Sequence, residues 1–145
     1  LLIAASEDIG LANPTAMVMA NSCFQAVEKI GYPECRIILS QTVLYLASSP
    51  KSNSAYLAIN KAMEHIKKYG AQTIPLHLRN APSELMKNLD YGKDYQYAHD
   101  YPGNFVNQEF MPENLSGTPF YDPSDNPREQ EIRKKLGQWW GNKYW

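Results

Sequence analysis

Two cysteines in 145 residues, Cys23 and Cys35, are all the thiol chemistry this chain has. They show neither CxxC spacing nor a zinc pattern, so no disulfide framework or thiolate metal site is expected. Two free thiols in a reducing compartment is the reading they support. Histidine is equally sparse: His65, His77 and His99 are scattered, and no HExxH occurs. The eight glycines are dispersed among turns, with no GxxxxGK(S/T) and no GxGxxG. That excludes a backbone cradle for nucleotide phosphates of either kind. No apolar run reaches the length that a membrane-spanning helix needs. Charge of one sign is lacking too, since 14 Lys+Arg face 15 Asp+Glu for a net −1. A surface coated in basic charge for nucleic acid is thereby excluded, although a local patch is not. The start, Leu1 to Ala5, has no initiator Met and no basic leader; it is expected to continue a helix that begins earlier in a longer chain.

What is present is apolar periodicity and aromatic weight. Aromatic residues make up 12% of the chain, ten of them Tyr, well above what a disordered segment carries. At this length one ordinary domain is expected, able to fold without a metal or disulfide staple. Asn13-Pro14 reads as a helix start, with Asn13 as the cap. Met17, Ala20, Phe24, Val27 and Ile30 follow at three- and four-residue spacing, and Gly31 stands at the stop. After Pro33, the run Ile37, Ile38, Leu39, Val43, Leu44, Tyr45, Leu46 and Ala47 leaves almost no polar face, which predicts a helix covered on most sides. Ser52 or Asn53 is positioned to cap a third helix whose stripe is Ala55, Ile59, Ala62, Met63 and Ile66, closed by Gly70. Short connections predict antiparallel neighbours.

Beyond Gly70 the pattern loosens. Pro82-Ser83 predicts a short helix with Leu85, Met86 and Leu89 inside. From Lys93 to Pro127 turn chemistry dominates, and Asp125 or Asn126 then caps a last helix carrying Ile132, Leu136 and Trp139. The segment from Pro75 to Pro102 is irregular but rich in tyrosine, the mark of a packed connection rather than a slack linker. The chain therefore reads as all-α, with an irregular, aromatic-rich second half.

No constellation for catalysis stands out. Glu7-Asp8 and the pair Asp122/Asp125 sit at turns and caps, where carboxylates bind backbone N–H groups. His99-Asp100 has no nucleophile elbow to serve, and His99 is expected in a hydrogen-bonded corner among Tyr95, Tyr97 and Tyr101. Arg79, between two proline corners, reads as a tie to loop carbonyls or an acidic side chain, with a partner or phosphate contact as the alternative. Asn114-Leu115-Ser116 is an incidental sequon without a secretory signal. The stretch from Arg128 to Trp145 is more informative. It sets Arg128, Arg133, Lys134, Lys135 and Lys143 against Glu129 and Glu131, with Trp139, Trp140, Tyr144 and Trp145 beside them. Aromatics beside cations can hold single-stranded nucleic acid by phosphate pairing and base stacking; the other readings are Trp139 packed inward with the rest covering an apolar seam or a partner subunit, or a frayed tail.

Four blocks carry a resemblance: ASEDIGLANPTAM (Ala5 to Met17), YLASSPKSNSAY (Tyr45 to Tyr56), PLHLRNAPSELMKNLDYGKDYQYAHDYP (Pro75 to Pro102) and FYDPSDNPREQEI (Phe120 to Ile132). In this order they resemble the C-terminal region of the replication-associated recombination protein A family. These are AAA+ ATPases also called MgsA, related to the Werner-helicase-interacting protein and, more distantly, to clamp loaders. The resemblance covers Leu2 to Leu136. It implies a helical collar, similar to the C-terminal domain of clamp loaders, that assembles the protein into a homotetramer. On this division, residues 1–5 end the preceding lid, 6–136 form the oligomerisation domain and 137–145 are an aromatic and basic tail.

The resemblance also implies a full-length protein that hydrolyses ATP with Mg in its N-terminal part and binds DNA at stalled forks. It implies a cytoplasmic, nucleoid-associated setting and fork partners such as single-strand-binding protein. No catalytic, cofactor or metal residue carries over to these positions, so the chain itself is not expected to be an enzyme. Candidate oligomer contacts are Tyr95, Tyr97, Phe105, Phe110, Phe120, Tyr121, Trp139 and Trp140. Candidate DNA contacts, for the alternative reading as a DNA-binding module, are Arg133, Lys134, Lys135 and Lys143.

Overall fold

The computed structural model describes residues 1–144 and is all-helical, with no strand among them. Six α-helices appear: α1 (Leu2–Ala4), α2 (Thr15–Ile30), α3 (Cys35–Ala47), α4 (Ser54–Tyr69), α5 (Glu84–Asn88) and α6 (Pro127–Trp140). A π-helical turn, Ala5–Ile9, continues α1. Short 3-10 turns fill much of the stretch between α4 and α6. The chain divides into two compact units. The first comprises Leu1–Met63 with Phe120–Lys135, the second Glu64–Pro119 with the residues from Leu136 onward.

In the first unit, α2 and α3 pack against each other through small residues. Ala16, Ala20 and Cys23 are buried on α2; Cys35, Thr42 and Leu46 are buried on α3. Positions i, i+4 and i+7 line one side of a helix, and small side chains there let the backbones approach closely. Ala5 and Ile9 complete this core, with Tyr45 packed against it. The expected stripe on α2 is therefore rotated: Ala20 is inside, but Met17, Phe24 and Ile30 are exposed, Phe24 at 66%. On α3, expected to be covered on most sides, Ile37, Val43 and Leu44 are exposed. On α4 the alanines are half-buried, while Ile59, Met63 and Ile66 point to solvent. On α2 and α3 the cause is geometric: a seam built largely on Ala16, Ala20, Cys23 and Cys35 brings the helices close and leaves little room for longer side chains.

Asn13 does not cap α2. Its Nδ2 donates to Tyr45 Oη and Ser49 Oγ, each at 3.0 Å, tying the entry of α2 to the end of α3. Ser52 Oγ accepts the Ser54 N–H at 3.3 Å at the start of α4. Ser83 caps α5 through the Met86 N–H, yet Leu85 and Leu89 are exposed rather than inside. Gly31 and Gly70 follow their helices with φ of +71° and +76°, as expected for stop positions.

At Gly10 the chain passes close against the backbone of Ser52. Its φ is +49°, and a Cβ there would lie 2.6 Å from the Ser52 carbonyl oxygen. The Ser52 N–H donates to the Asp8 carbonyl at 2.8 Å, which holds the two segments together. Gly10→Ala is expected to destabilise the protein by about 2 kcal/mol or more, combining left-handed strain with a backbone clash. Gly103→Ala, at φ +70° with nothing within 4 Å of the new Cβ, is expected to cost only about 1 kcal/mol. Urea midpoints of the two variants check the difference; equal shifts would remove the clash as its cause.

Candidate assembly surfaces and nucleic-acid contacts

The most completely satisfied site in the first unit centres on Glu129, which is fully buried. It stands three residues after Asn126, whose Oδ1 accepts the Glu129 N–H at 3.0 Å and whose Nδ2 donates back to Oε2 at 2.5 Å. The first of these bonds is an Asn cap on the free N–H of the third helical residue; the second ties the same amide to the carboxylate. Ser54 donates to Oε1 at 2.5 Å and Tyr121 to Oε1 at 2.9 Å; Ser124 donates to Oε2 at 2.6 Å. Ser52 donates to Ser54 at 3.1 Å, behind the first ring of donors. Four donors thus fill the roughly four lone-pair sites of one carboxylate. Burial alone pushes the Glu129 carboxyl up. The donors, Ser124 foremost with Ser52, Ser54 and Asn126, outweigh it and hold the group at about 2. Burial and the Glu129 charge together raise the Tyr121 phenol.

A cavity of about 320 Å³ adjoins this network, lined by Asn53, Ser54, Lys61, Asp122 and Arg133 among others. Arg133 donates from Nη2 to Asp122 Oδ1 and to the Pro123 carbonyl, both at 2.6 Å. Of the expected DNA contacts in this unit, Arg133 is thereby drawn into an internal pair, while Lys134 and Lys135 are exposed on α6. Of the expected oligomer contacts here, Phe120 is half-buried, and Tyr121 is spent on Glu129.

In the second unit residues 137–144 fold onto their own chain. Phe105 stacks on Trp139 at 5.4 Å, nearly parallel, and meets Trp140 edge-on at 5.0 Å. Phe110 and Tyr144 contact Trp140 edge-on at 6.1 and 5.7 Å. Lys143 lies over the Trp140 ring at 4.5 Å and pairs with Glu109 Oε2 at 3.0 Å. Burial disfavours the Glu109 charge, but the Ser116 hydroxyl, the Met111 N–H and Lys143 outweigh it and hold the carboxyl at about 2. Lys143 is therefore an internal anchor, and Phe105, Phe110, Trp139 and Trp140 form one cluster. Tyr95 and Tyr97 are exposed. Trp145 lies outside the described residues.

Arg79 acts as expected from its place between prolines. Its Nε donates to the Ile74 carbonyl at 2.8 Å, and its guanidinium sits over the Tyr91 ring. His99 is exposed, and its contact is ring to ring with Tyr97 at 5.1 Å. No group of three or more His, Cys, Asp or Glu among the described residues could hold a metal ion. No helix among them is long and apolar enough to cross a membrane.

The sequence reading missed two things. The Glu129 network had one visible signal, the Asn126-x-x-Glu129 spacing; Ser52, Ser54 and Tyr121 join it only through the fold. The second is the exposure of Phe24, Ile37, Leu44, Ile59 and Met63, residues whose spacing reads as core.

The family model described as "MgsA AAA+ ATPase C terminal" matches residues 1–140. The chain belongs to this MgsA family. It is 44% identical over 133 residues to the replication-associated recombination protein A of Coxiella burnetii, covering 91% of this chain and 30% of that protein. The Escherichia coli K12 protein of the same name is 37% identical over 136 residues, 93% of this chain and 30% of its own length. The ATPase WRNIP1 of Dictyostelium discoideum is 39% identical over 132 residues, 87% of this chain and 15% of that protein. The MgsA C-terminal region described here thus spans less than a third of each of these relatives.

The Glu129 network makes a pH prediction. With the folded carboxyl at about 2 and the ordinary value at 4.5, its stabilisation is fully present above pH 4.5. It is lost as pH falls toward 2, and amounts to roughly 3 kcal/mol. Glu129→Gln keeps the shape but turns an amide N–H₂ toward donors, so a loss of about 3 kcal/mol is expected at pH 7. Urea unfolding at pH 7, 4 and 2.5 should show the gap between the two proteins closing as pH falls; a constant gap would mean the charge is not what these donors hold.

Proposed function

We propose that this chain is the self-assembly domain of an AAA+ ATPase that works in DNA replication and recombination. The biological setting is inferred from the relatives' names, replication-associated recombination protein A above all. The assembly role rests on one observation: the buried apolar core is mostly alanine and cysteine, while Phe24, Ile37, Leu44, Ile59 and Met63 are exposed. Monomeric proteins scatter single exposed apolar residues, but large apolar side chains concentrated on several helices mark a surface that another chain covers. ATP and Mg chemistry is assigned to the remainder of the full-length protein, because no Walker-type phosphate loop occurs in this sequence.

The alternative, a DNA-binding module built on Arg133, Lys134, Lys135 and Lys143, has less support. Arg133 and Lys143 are paired with Asp122 and Glu109 within their own units, which leaves fewer cations to neutralise phosphates.

Sedimentation velocity of the chain at micromolar concentration is expected to show a species several chains in size. Phe24→Glu, at an exposed position, is expected to reduce that size without loss of helical circular dichroism. Single chains throughout the concentration range would sink the proposal. Steeply salt-dependent quenching of tryptophan fluorescence by single-stranded DNA, in a protein that sediments as single chains, would favour the alternative instead.

A further inference from the structure

The second unit holds a cavity of about 500 Å³, lined by Leu76, His77, Asp90, Asp94, Gln96 and Gln108 among others. We propose that it receives an arginine side chain from a protein partner, with a main-chain carbonyl of the same segment accepting from Gln108.

Gln108 is the one buried residue of this lining, 8% exposed, while the others are half-buried or exposed. Its Oε1 accepts the Gln96 N–H at 3.0 Å, which fixes the carboxamide and leaves Nε2 as its donor end. That Nε2 is buried and has no hydrogen-bond partner among the described residues. A buried donor without an acceptor is costly, so it points to an acceptor that arrives from outside. The other polar groups accept rather than donate. Lys93 pairs with Asp90 at 3.0 Å, and Asp94 has no ion pair among the described residues. His77 donates from Nε2 to the Glu109 carbonyl at 2.7 Å, so in the neutral ring Nδ1 is left to accept. A ligand with several N–H donors beside one carbonyl fits this set, and a guanidinium with its adjacent peptide group supplies both. Leu76, half exposed, offers apolar surface to the methylene stem.

The surrounding loop has the same preference. Residues 90–101 carry Asp90, Asp94 and Asp100 against one lysine, Lys93. Tyr95 and Tyr97 stand on either side of Gln96 in the chain and are exposed, and tyrosine faces attract cations. The loop already holds one guanidinium in this way: Arg79 lies over the Tyr91 ring at 5.0 Å and donates to its hydroxyl at 3.2 Å. The Gly92 N–H donates to the Leu76 carbonyl at 2.9 Å, which fixes the acidic turn against the Leu76-His77 segment.

The test is a titration of the whole chain, labelled with nitrogen-15 at glutamine and followed by the side-chain amide signals. Gln108 is assigned through its contact with the Gln96 N–H. Acetyl-Gly-Arg-Gly-amide is expected to shift the Gln108 amide saturably, and acetyl-Gly-Gly-Gly-amide is not. Asp94→Asn is expected to weaken the arginine peptide about fivefold. Asn adopts the left-handed backbone that Asp94 holds at φ +62°, so the turn is kept. Glu28→Gln removes the same charge from an exposed position on α2 and is expected to leave the affinity unchanged. Equal shifts from the two peptides, no saturable shift at Gln108, full affinity in Asp94→Asn or equal weakening in Glu28→Gln each overturns the site. A long-lived water bound to the Gln108 amide that the peptide does not displace overturns it too. Should Asp94→Asn fail to fold, the comparison of the two peptides on the wild type decides alone. None of these outcomes bears on self-assembly, which sedimentation tests separately.

Discussion

One buried carboxylate organises the first unit. Glu129 collects hydrogen bonds from Ser54, Tyr121, Ser124 and Asn126, which belong to the start of α4, the loop before α6 and the cap of α6 itself. An unpaired charge at that depth would be prohibitive; a charge with every lone pair occupied is a junction. The junction extends through Ser52 to the Asp8 carbonyl and the close crossing at Gly10. Residues far apart in sequence are thereby fixed by polar groups rather than by apolar volume. This explains how a unit whose buried apolar residues are mostly alanine and cysteine holds one arrangement.

The second unit uses a related device with a different balance. Glu109 accepts from the Ser116 hydroxyl and the Met111 N–H and pairs with Lys143, while the rings of Phe105, Phe110, Trp139, Trp140 and Tyr144 supply apolar contact. Lys143 joins the two parts, since its ammonium faces the carboxylate while it lies over the Trp140 ring. Residues 137–144, which lie outside the sequence blocks that carry the family resemblance, are thus integral to their unit.

Helix existence was legible because it depends on local chemistry: Gly31, Gly70, Pro82-Ser83 and the Asn126-Pro127 start each act within a few residues. The fragment's family was legible because whole blocks such as Pro75 to Pro102 are unusual strings. Facing was not legible. Periodicity identifies an apolar side of α2, but Ala16 and Met17 differ by only 100° around the helix, and the choice between them depends on how closely α3 approaches. The same holds for Asn13, whose type predicts a cap and whose actual partners, Tyr45 and Ser49, come from the far end of the next helix. Likewise nothing in the basic, aromatic stretch from Arg128 onward reveals that Arg133 and Lys143 find carboxylates within the chain, because Asp122 and Glu109 lie in loops without a period.

These arrangements bear on assembly. A fold stabilised chiefly by large buried side chains would be in competition with any interface for the same residues. Here the internal contacts use alanine, cysteine and hydrogen-bonded polar groups, so Ile37, Leu44 and Phe24 remain outside without weakening the unit that carries them. A helix such as α3, apolar on both sides but packed on one, thus keeps Ile37 and Leu44 exposed on a formed unit.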